Sequence, residues 1–435
     1  MVHCREINPK IDFAALHQFK PEAYPYFFAS NTRGRINTRY SIILAYPEKT
    51  IVQRAGDADC LDLINTRLDK TDNDAGLPFV GGWFVFLSYE YAATIEPGVE
   101  FFAEQSSLPV ALASRIPAAI IIDHEKNRCT IVADAKNQSL IDQIERDIEQ
   151  AGSWSAMPLA ALEIHEEPAQ IYRDYLDKTH RYIVDGDIFQ ANLSRRWQAH
   201  SKKHIDPLSL YQKLCLSNPA PFAAFAKLGQ HTILSSSPER LVSVQQGQVE
   251  TRPIAGTHPR GKTDKEDTAL SVELLKHPKE RAEHVMLIDL ERNDLGRICR
   301  PGSISVQDNM TLETYSHVHH IVSSIRGELK PDTSLKDVIH AVFPGGTITG
   351  CPKVRCMEII SELEQSPRGA YTGSLGYVSD NGCVDFNILI RTLTLHQNTV
   401  EFRAGAGIVH DSISERELNE TRHKARGMLN ALSPD

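Results

Sequence analysis

A layered α+β fold, with antiparallel β-sheets flanked by helices, is the fold class predicted by this sequence of 435 residues. Three observations predict it. Strand-like runs follow one another in pairs, long amphipathic helices lie between the pairs, and this order fits packed layers better than a doubly wound parallel sheet. An apolar fraction of 41% lets the chain bury a sizeable core, as one large domain or two smaller ones.

Short apolar runs at 41–46, 81–87, 116–123 and 129–134 predict strands in an N-terminal region, 1–155, that holds few reactive clusters. A polar linker is expected across 152–168, before a second region at 165–435. There AQIYRDYLDKTHRYIVDG has apolar residues near helical spacing, with Gly186 placed to end the helix. The stretch VETRPIAGTHPRG predicts a strand that stops at a turn, punctuated by Pro253, Gly256 and Pro259. Further on, TGSLGYVSDNGCVDFNILIRTLTLHQNTVEFRAGAGIV predicts a three-stranded meander whose first tight turn is Asn381-Gly382. A closing helix is expected after Ser414, through ERELNETRHKARGMLNAL.

Lys and Arg total 47 against 56 acidic residues, a net charge of -9 that argues against a general binder of nucleic acid or anionic membrane. Any anionic ligand must then be held by a local cluster. The N-terminal MVHCREINPKIDF has no apolar signal region and the longest apolar runs are strand-sized, so a soluble cytoplasmic protein is expected. Eight cysteines are scattered without a C-x-x-C pair, which indicates neither a zinc site nor a disulfide framework.

Several clusters could carry chemistry. Glu280 and Glu283 lie three apart on a predicted helix and project from one face. A hard divalent cation takes such oxygens, and the bland alternative is a solvated helix face. The spacing recurs at Glu417 and Glu420, so two facing acid pairs could hold Mg2+, although Ser414 and Glu417 also have the spacing of a capping box. FPGGTITGCPKVR is a glycine-rich loop entering a helix at Pro352, either an anion site or a plain loop, without P-loop spacing. Arg391 is expected inside an otherwise apolar strand, NILIRTLTL, where an unpaired guanidinium is costly to bury and calls for a partner anion, from substrate or from protein. AGAG, at 404–407, permits close backbone approach, and Lys424 follows Glu420 at the spacing of a simple ion pair. His319 and His320 could titrate near neutrality. Glu239, in SSSPERL, stands at a loop edge, as an acid–base group or a surface acid.

The ordered segments GDIFQANLSRRW, NPAPF, SSSPER, RPIAGT, EHVMLIDLERNDLGR, HHIVS, GGTITGCPKVRCMEII, FNILIRT, AGAGIV and SERELNETRHKA go beyond such generic signals. From about Gln170 to its end the chain strongly resembles the chorismate-utilising enzymes, which include anthranilate synthase component I, aminodeoxychorismate synthase component I, and the isochorismate and salicylate synthases. The resemblance implies their chorismate-binding fold, with Mg2+ near Glu283 and Glu420 and Glu280 and Glu417 beside them. It implies catalytic duty for Glu239, His320 and Thr347. Chorismate contacts are implied for Gln190, Thr257, Gly346 and Tyr371, and for Arg391, Gly405 and Lys424.

In the isochorismate and salicylate synthases a lysine at the place of Gln190 activates water, so the resemblance implies ammonia as the nucleophile here. NPAPFAAF, QANLSRRW and the double glycine of PGGTITG resemble aminodeoxychorismate synthase component I, which makes 4-amino-4-deoxychorismate for 4-aminobenzoate and folate. Ala255 departs from the aminodeoxychorismate enzymes that use a lysine nucleophile there and matches the anthranilate synthases, the alternative. A non-catalytic chorismate sensor is a third possibility, against which the many acid–base groups argue. No glutaminase nucleophile segment is evident, so a separate glutamine amidotransferase subunit is implied as partner. The N-terminal region implies a second sheet and a tryptophan-type pocket, with Ser30 in FFASNTRGRINTRYSII as its matching position.

Overall fold

The computed structural model describes residues 2–30, 39–64, 66, 68, 76–261, 263–314 and 318–434, with the backbone alone at 255, 257–259, 279 and 318. Among the described residues, two antiparallel sheets, of 12 and 10 strands, pack between layers of helices, as the sequence predicts. Among the described residues, strands from 1–155 add to both sheets.

Why the strands are so apolar follows from their two buried faces. In Tyr26–Ala29 and Tyr40–Ala45 alternate side chains point opposite ways. Tyr26, Ile42 and Leu44 enter a core between the sheets and meet Phe84, Phe86 and Leu112 of the second sheet. Phe27, Ile43 and Ala45 face a separate core built with Ile141, Leu208 and Met428 of the helices Ser139–Ala151, Pro207–Ser217 and Ser414–Ala431. On the far side of the second sheet, Val85 and Leu87 pack with Ile288 and Leu295 of helix Pro278–Gly296 and Val338 of helix Leu335–Val342. A one-residue slip in any such strand would exchange its two packing sets.

Three features differ from the sequence expectations, two of them where the chain changes sheets. The run at 116–123 is broken at Pro117: Ala111–Ile116 belongs to the second sheet and Ala118–Asp123 to the first. Proline lacks the N–H that a continuous ladder would use. The supposed meander is four strands over two sheets. Ser374–Ser379 and Val384–Ile388 form a hairpin of the second sheet, with Gly382 at φ +82° in its turn. Thr392–His396 and Thr399–Ile408 pair in the first. VETRPIAGTHPRG likewise is two strands, Gln248–Thr251 and Ile254–Pro259, which both pair with Val318–Glu328. The register shifts between Ala255 and Thr257, around Gly256 at φ +66°, so the stretch holds a bulge and not a terminal turn.

Candidate active site

Two neighbouring sheet changes assemble the site. His231–Ser237 and its partner Thr392–His396 belong to the first sheet, whereas Arg240–Gln245 and its partner Val384–Ile388 belong to the second. Both chain segments therefore cross at one place, at 238–239 and 389–391. They are tied there by Ile388 N–H to the Glu239 carbonyl at 3.0 Å, Ser236 N–H to the Arg391 carbonyl at 3.1 Å, and the Ser237 hydroxyl to the Ile388 carbonyl at 2.5 Å. Arg391 is thus not inside a strand. It stands in the crossover at φ +50°, and its Nη1 donates to Asn218 Oδ1 at 3.4 Å.

Glu239 is only 5% exposed, so it is no surface acid. Burial pushes its carboxyl up to about 7, against the Thr347 hydroxyl, the Ile254 N–H, Lys424 and Arg391, which all favour the carboxylate. Thr347 acts on it from nearby without a hydrogen bond of ordinary length. His320 pairs across the sheet with Thr257 and is also buried. Burial and then the Arg391 cation push it down to about 3, with Lys424 adding to the effect. The expectation that His320 titrates near neutrality is therefore not met, because desolvation and two cations disfavour the imidazolium. It is a neutral imidazole at pH 7.

Lys424, on helix Ser414–Ala431, donates to the Gly405 carbonyl at 3.1 Å and pairs with Glu420 at 2.8 Å. The simple i,i+4 pair is present, and the same ammonium also reaches the sheet. Gly405 and Gly407, on Thr399–Ile408, are required by close approach. A Cβ on Gly405 would lie 2.6 Å from the Tyr371 hydroxyl, and one on Gly407 would lie 2.5 Å from Gln190 Nε2. Gln190 opens strand Gln190–His200, and its buried Oε1 has no hydrogen-bond partner among the described residues. Gly346 and Thr347 lie in the short helix Gly346–Ile348, where a Cβ on Gly346 would strike Leu290. The side chains of Ala255 and Thr257 lie outside the described residues.

The acid pairs are on the expected helices, Pro278–Gly296 and Ser414–Ala431. Ser414 and Glu417 form no capping box: the helix is capped by Ile413 without a side-chain bond, and Glu417 is buried. Glu280 lies against the Gly256 bulge, where a Cβ would come within 2.9 Å of its Oε2. Among the described residues, no three His, Cys, Asp or Glu side chains converge as a metal cage. Carboxylate oxygens from separate helices still suit Mg2+, which commonly takes one or two protein carboxylates and completes its shell with water and substrate oxygens.

Some supporting residues escaped the sequence analysis. Tyr371 lies beneath the Arg368 guanidinium, 5.6 Å from its ring centroid, and Arg368 donates to the Asn192 carbonyl at 2.7 Å. Arg368 and Arg403 both pair with Glu364, at 2.7 and 3.2 Å, in a fully buried cluster. Glu364 and Arg368 are only four apart, but Arg403 comes from the distant strand Thr399–Ile408, so no single local pattern marks the cluster. Ser30 is elsewhere, beside a cavity of about 470 Å³ lined by Phe28, Ala29, Tyr40, Phe222 and Tyr377. Its hydroxyl is buried with no partner among the described residues, and 31–38 of the same segment lie outside them.

The sequence model of the family described as chorismate binding enzyme matches residues 23–430. A Synechocystis protein named anthranilate synthase component I-like protein is 39% identical over 404 residues, 91% of this chain and 83% of that protein. Aminodeoxychorismate synthase component 1 of Bacillus subtilis is 41% identical over 375 residues, 83% of this chain and 79% of that protein. The crystal structure of anthranilate synthase component I from Streptococcus pneumoniae TIGR4 superposes with a TM-score of 0.79 at 32% identity, covering 91% of this chain and 93% of that one.

Proposed function

The chain belongs to the family of chorismate-binding enzymes, and from that premise we propose that it is component I of an aminodeoxychorismate synthase. It replaces the 4-hydroxyl of chorismate by an amino group drawn from ammonia. What carries the proposal is the convergence of Arg391 and Lys424 on a buried acid, Glu239, and a neutral His320. Two cations suit a dicarboxylate, and a carboxyl that holds its proton near pH 7 suits the departure of a hydroxyl.

In this proposal Arg391 and Lys424 orient the carboxylates, and Glu239 gives its proton to the hydroxyl as the C4–O bond breaks, so that water leaves. Ammonia forms the new C–N bond and returns the surplus proton as the ammonium deprotonates. Gln190 Oε1 offers an uncharged acceptor to N–H and cannot serve as the base that would activate water. Glu280, Glu283, Glu417 and Glu420 would hold Mg2+, which neutralises a substrate carboxylate when bound. A separate glutamine amidotransferase subunit supplies the ammonia in the cytoplasm, and a tryptophan-type ligand takes the 470 Å³ cavity beside Ser30. Among the described residues, no helix is long and apolar enough to cross a membrane.

Anthranilate synthase component I is the second reading, favoured by Ala255 where the lysine nucleophile would stand. The assay that separates them uses purified protein, chorismate, Mg2+ and excess ammonium. The expected product is 4-amino-4-deoxychorismate, which an added lyase converts to 4-aminobenzoate. Fluorescent anthranilate released without a lyase would establish the second reading instead.

Two substitutions test the site. Arg391→Ala is expected to raise the chorismate KM by about 100-fold or more, since a charge-assisted carboxylate contact of about 3 kcal/mol is lost from a poorly solvated site. Steady-state kinetics with unchanged KM and kcat would make Arg391 merely structural. Glu283→Gln and Glu420→Gln are each expected to weaken the magnesium dependence of turnover at least about tenfold while thermal unfolding stays cooperative. Magnesium titrations that match the unsubstituted enzyme would remove that glutamate from the metal site.

A further inference from the structure

Helix Pro278–Gly296 buries Leu287, Ile288 and Leu295, and Glu291 stands at the i+3 and i+4 spacings that place it on the same face. The residue is half-buried, and one oxygen of its carboxyl is turned into the protein. Its Oε2 is buried without a hydrogen bond, and so is the hydroxyl of Thr251, a residue only 2% exposed. Both line a cavity of about 10 Å³ with Asp294, Gly345, Gly346 and Arg240. That volume is at the lower limit for a single water, roughly 10–15 Å³. The cavity abuts the acid of the active site: Arg240 follows Glu239 in sequence, Ile388 on its wall donates to the Glu239 carbonyl at 3.0 Å, and Thr347 follows Gly346.

The charged groups around Glu291 come from every packed element. Asp294 lies on its own helix, Glu239 on the crossover, Arg240 on the second sheet and Lys353 on helix Lys353–Glu364. Both cations are engaged by other acids, Lys353 with Asp294 at 2.6 Å and Arg240 with Asp385 at 2.9 Å. Burial, with the Glu239 and Asp294 carboxylates adding repulsion, pushes Glu291 up to about 8, against Thr251 and Lys353. It therefore keeps its proton at pH 7, next to a second carboxyl poised at about 7.

We infer that Glu291 is a positioning residue for the proposed reaction, a second acid that exchanges a proton with Glu239 through its buried oxygen, the Thr251 and Thr347 hydroxyls and one water in this cavity. The inference rests on Glu239 being the acid of the site. When Glu239 has given its proton to the departing hydroxyl, the O–H of Glu291 breaks and a proton is delivered along this path to the Glu239 carboxylate. The negative charge then resides on Glu291 until the ammonium releases its surplus proton. No net proton is gained or lost, and the two carboxyls titrate as a pair.

Infrared difference spectra of the free protein test this without substrate. As pH rises through about 7 and about 8, the protein is expected to lose two buried carboxylic-acid bands. Glu291→Gln removes the later one, and Glu239→Gln removes the earlier one while moving the Glu291 band to lower pH by roughly half to one unit, because the repulsion of the Glu239 carboxylate is gone. In Glu291→Gln the basic limb of kcat/KM with chorismate and ammonium moves to lower pH, because the proton that refills Glu239 is gone, and Glu291→Asp restores both bands and the limb. Thr251→Val keeps both carboxyls should the Gln variant fail to fold, and it moves the Glu291 band to higher pH. A single band in the unsubstituted protein, or a Glu291 band that ignores position 239, overturns the inference. So does a Glu291→Gln enzyme slowed by one factor at every pH. Two coupled bands in a protein that does not consume chorismate would instead overturn the proposed function and leave the carboxyl pair standing.

Discussion

Glu239→Gln is expected to slow chorismate turnover by about 10²- to 10⁴-fold, the span that general acid–base groups usually supply, while leaving the fold intact. The amide keeps the shape of the carboxyl but has no proton to give. The pH dependence sharpens the test. Glu239 carries its proton below about 7, so a step that uses it as an acid loses rate as pH rises through that value. The residual activity of the Gln variant should lack that limb. His320, pushed down to about 3, contributes no limb in ordinary buffers. Stability should move with a definite sign as well. The folded-state pKa of Glu239 lies above the ordinary 4.5, so its contribution is complete below 4.5 and is lost as pH rises through about 7. Thermal unfolding of Glu239→Gln should therefore depend less on pH across that window. A variant with undiminished kcat and the same basic limb would remove Glu239 from the chemistry.

Glu364→Ala is expected to cost about 3–5 kcal/mol of folding stability, which is much of what a domain usually has. The side chains of Glu364, Arg368 and Arg403 are 2%, 1% and 2% exposed, so removal of the carboxylate strands two guanidinium groups away from water. Desolvation would raise the Glu364 pKa, yet Arg368 and Arg403 together hold it below the usual carboxylate range. Ser194 adds bonds from its N–H at 2.8 Å and its hydroxyl at 3.0 Å. Loss of the carboxylate should also free Arg368 from its place over Tyr371, so chorismate binding should weaken in whatever folds. Urea unfolding followed by circular dichroism measures the first effect. A midpoint within experimental error of the unsubstituted protein would show that the cluster does not hold the fold.

Much of the site was legible because its signals are local. Acid pairs three apart on a helix, glycines that admit a close neighbour and a carboxyl after a strand end are all short-range patterns, and the helices and strands that carry them are where the spacing placed them. Glu291 has a local mark of the same kind, an acid at helical spacing from the buried Leu287, Ile288 and Leu295, but that spacing does not tell an inward acid from one at the edge of the apolar face. Arg391 was misplaced because NILIRTLTL is apolar throughout. When both faces of both sheets are buried, hydrophobic periodicity does not change as the chain passes from one sheet to the other.

By itself, the sequence determined the fold class, the order and type of most elements and the family, because each rests on patterns written within about 20 residues or on many ordered segments together. Only the tertiary structure decided that Glu239 and Arg391 meet, since two crossovers more than a hundred residues apart had to be laid side by side. It alone decided that His320 is neutral and Glu239 holds its proton near pH 7. Proton affinity depends on burial and on charges brought from distant segments, and desolvation is a property of the packed interior that no stretch of chain possesses before it folds.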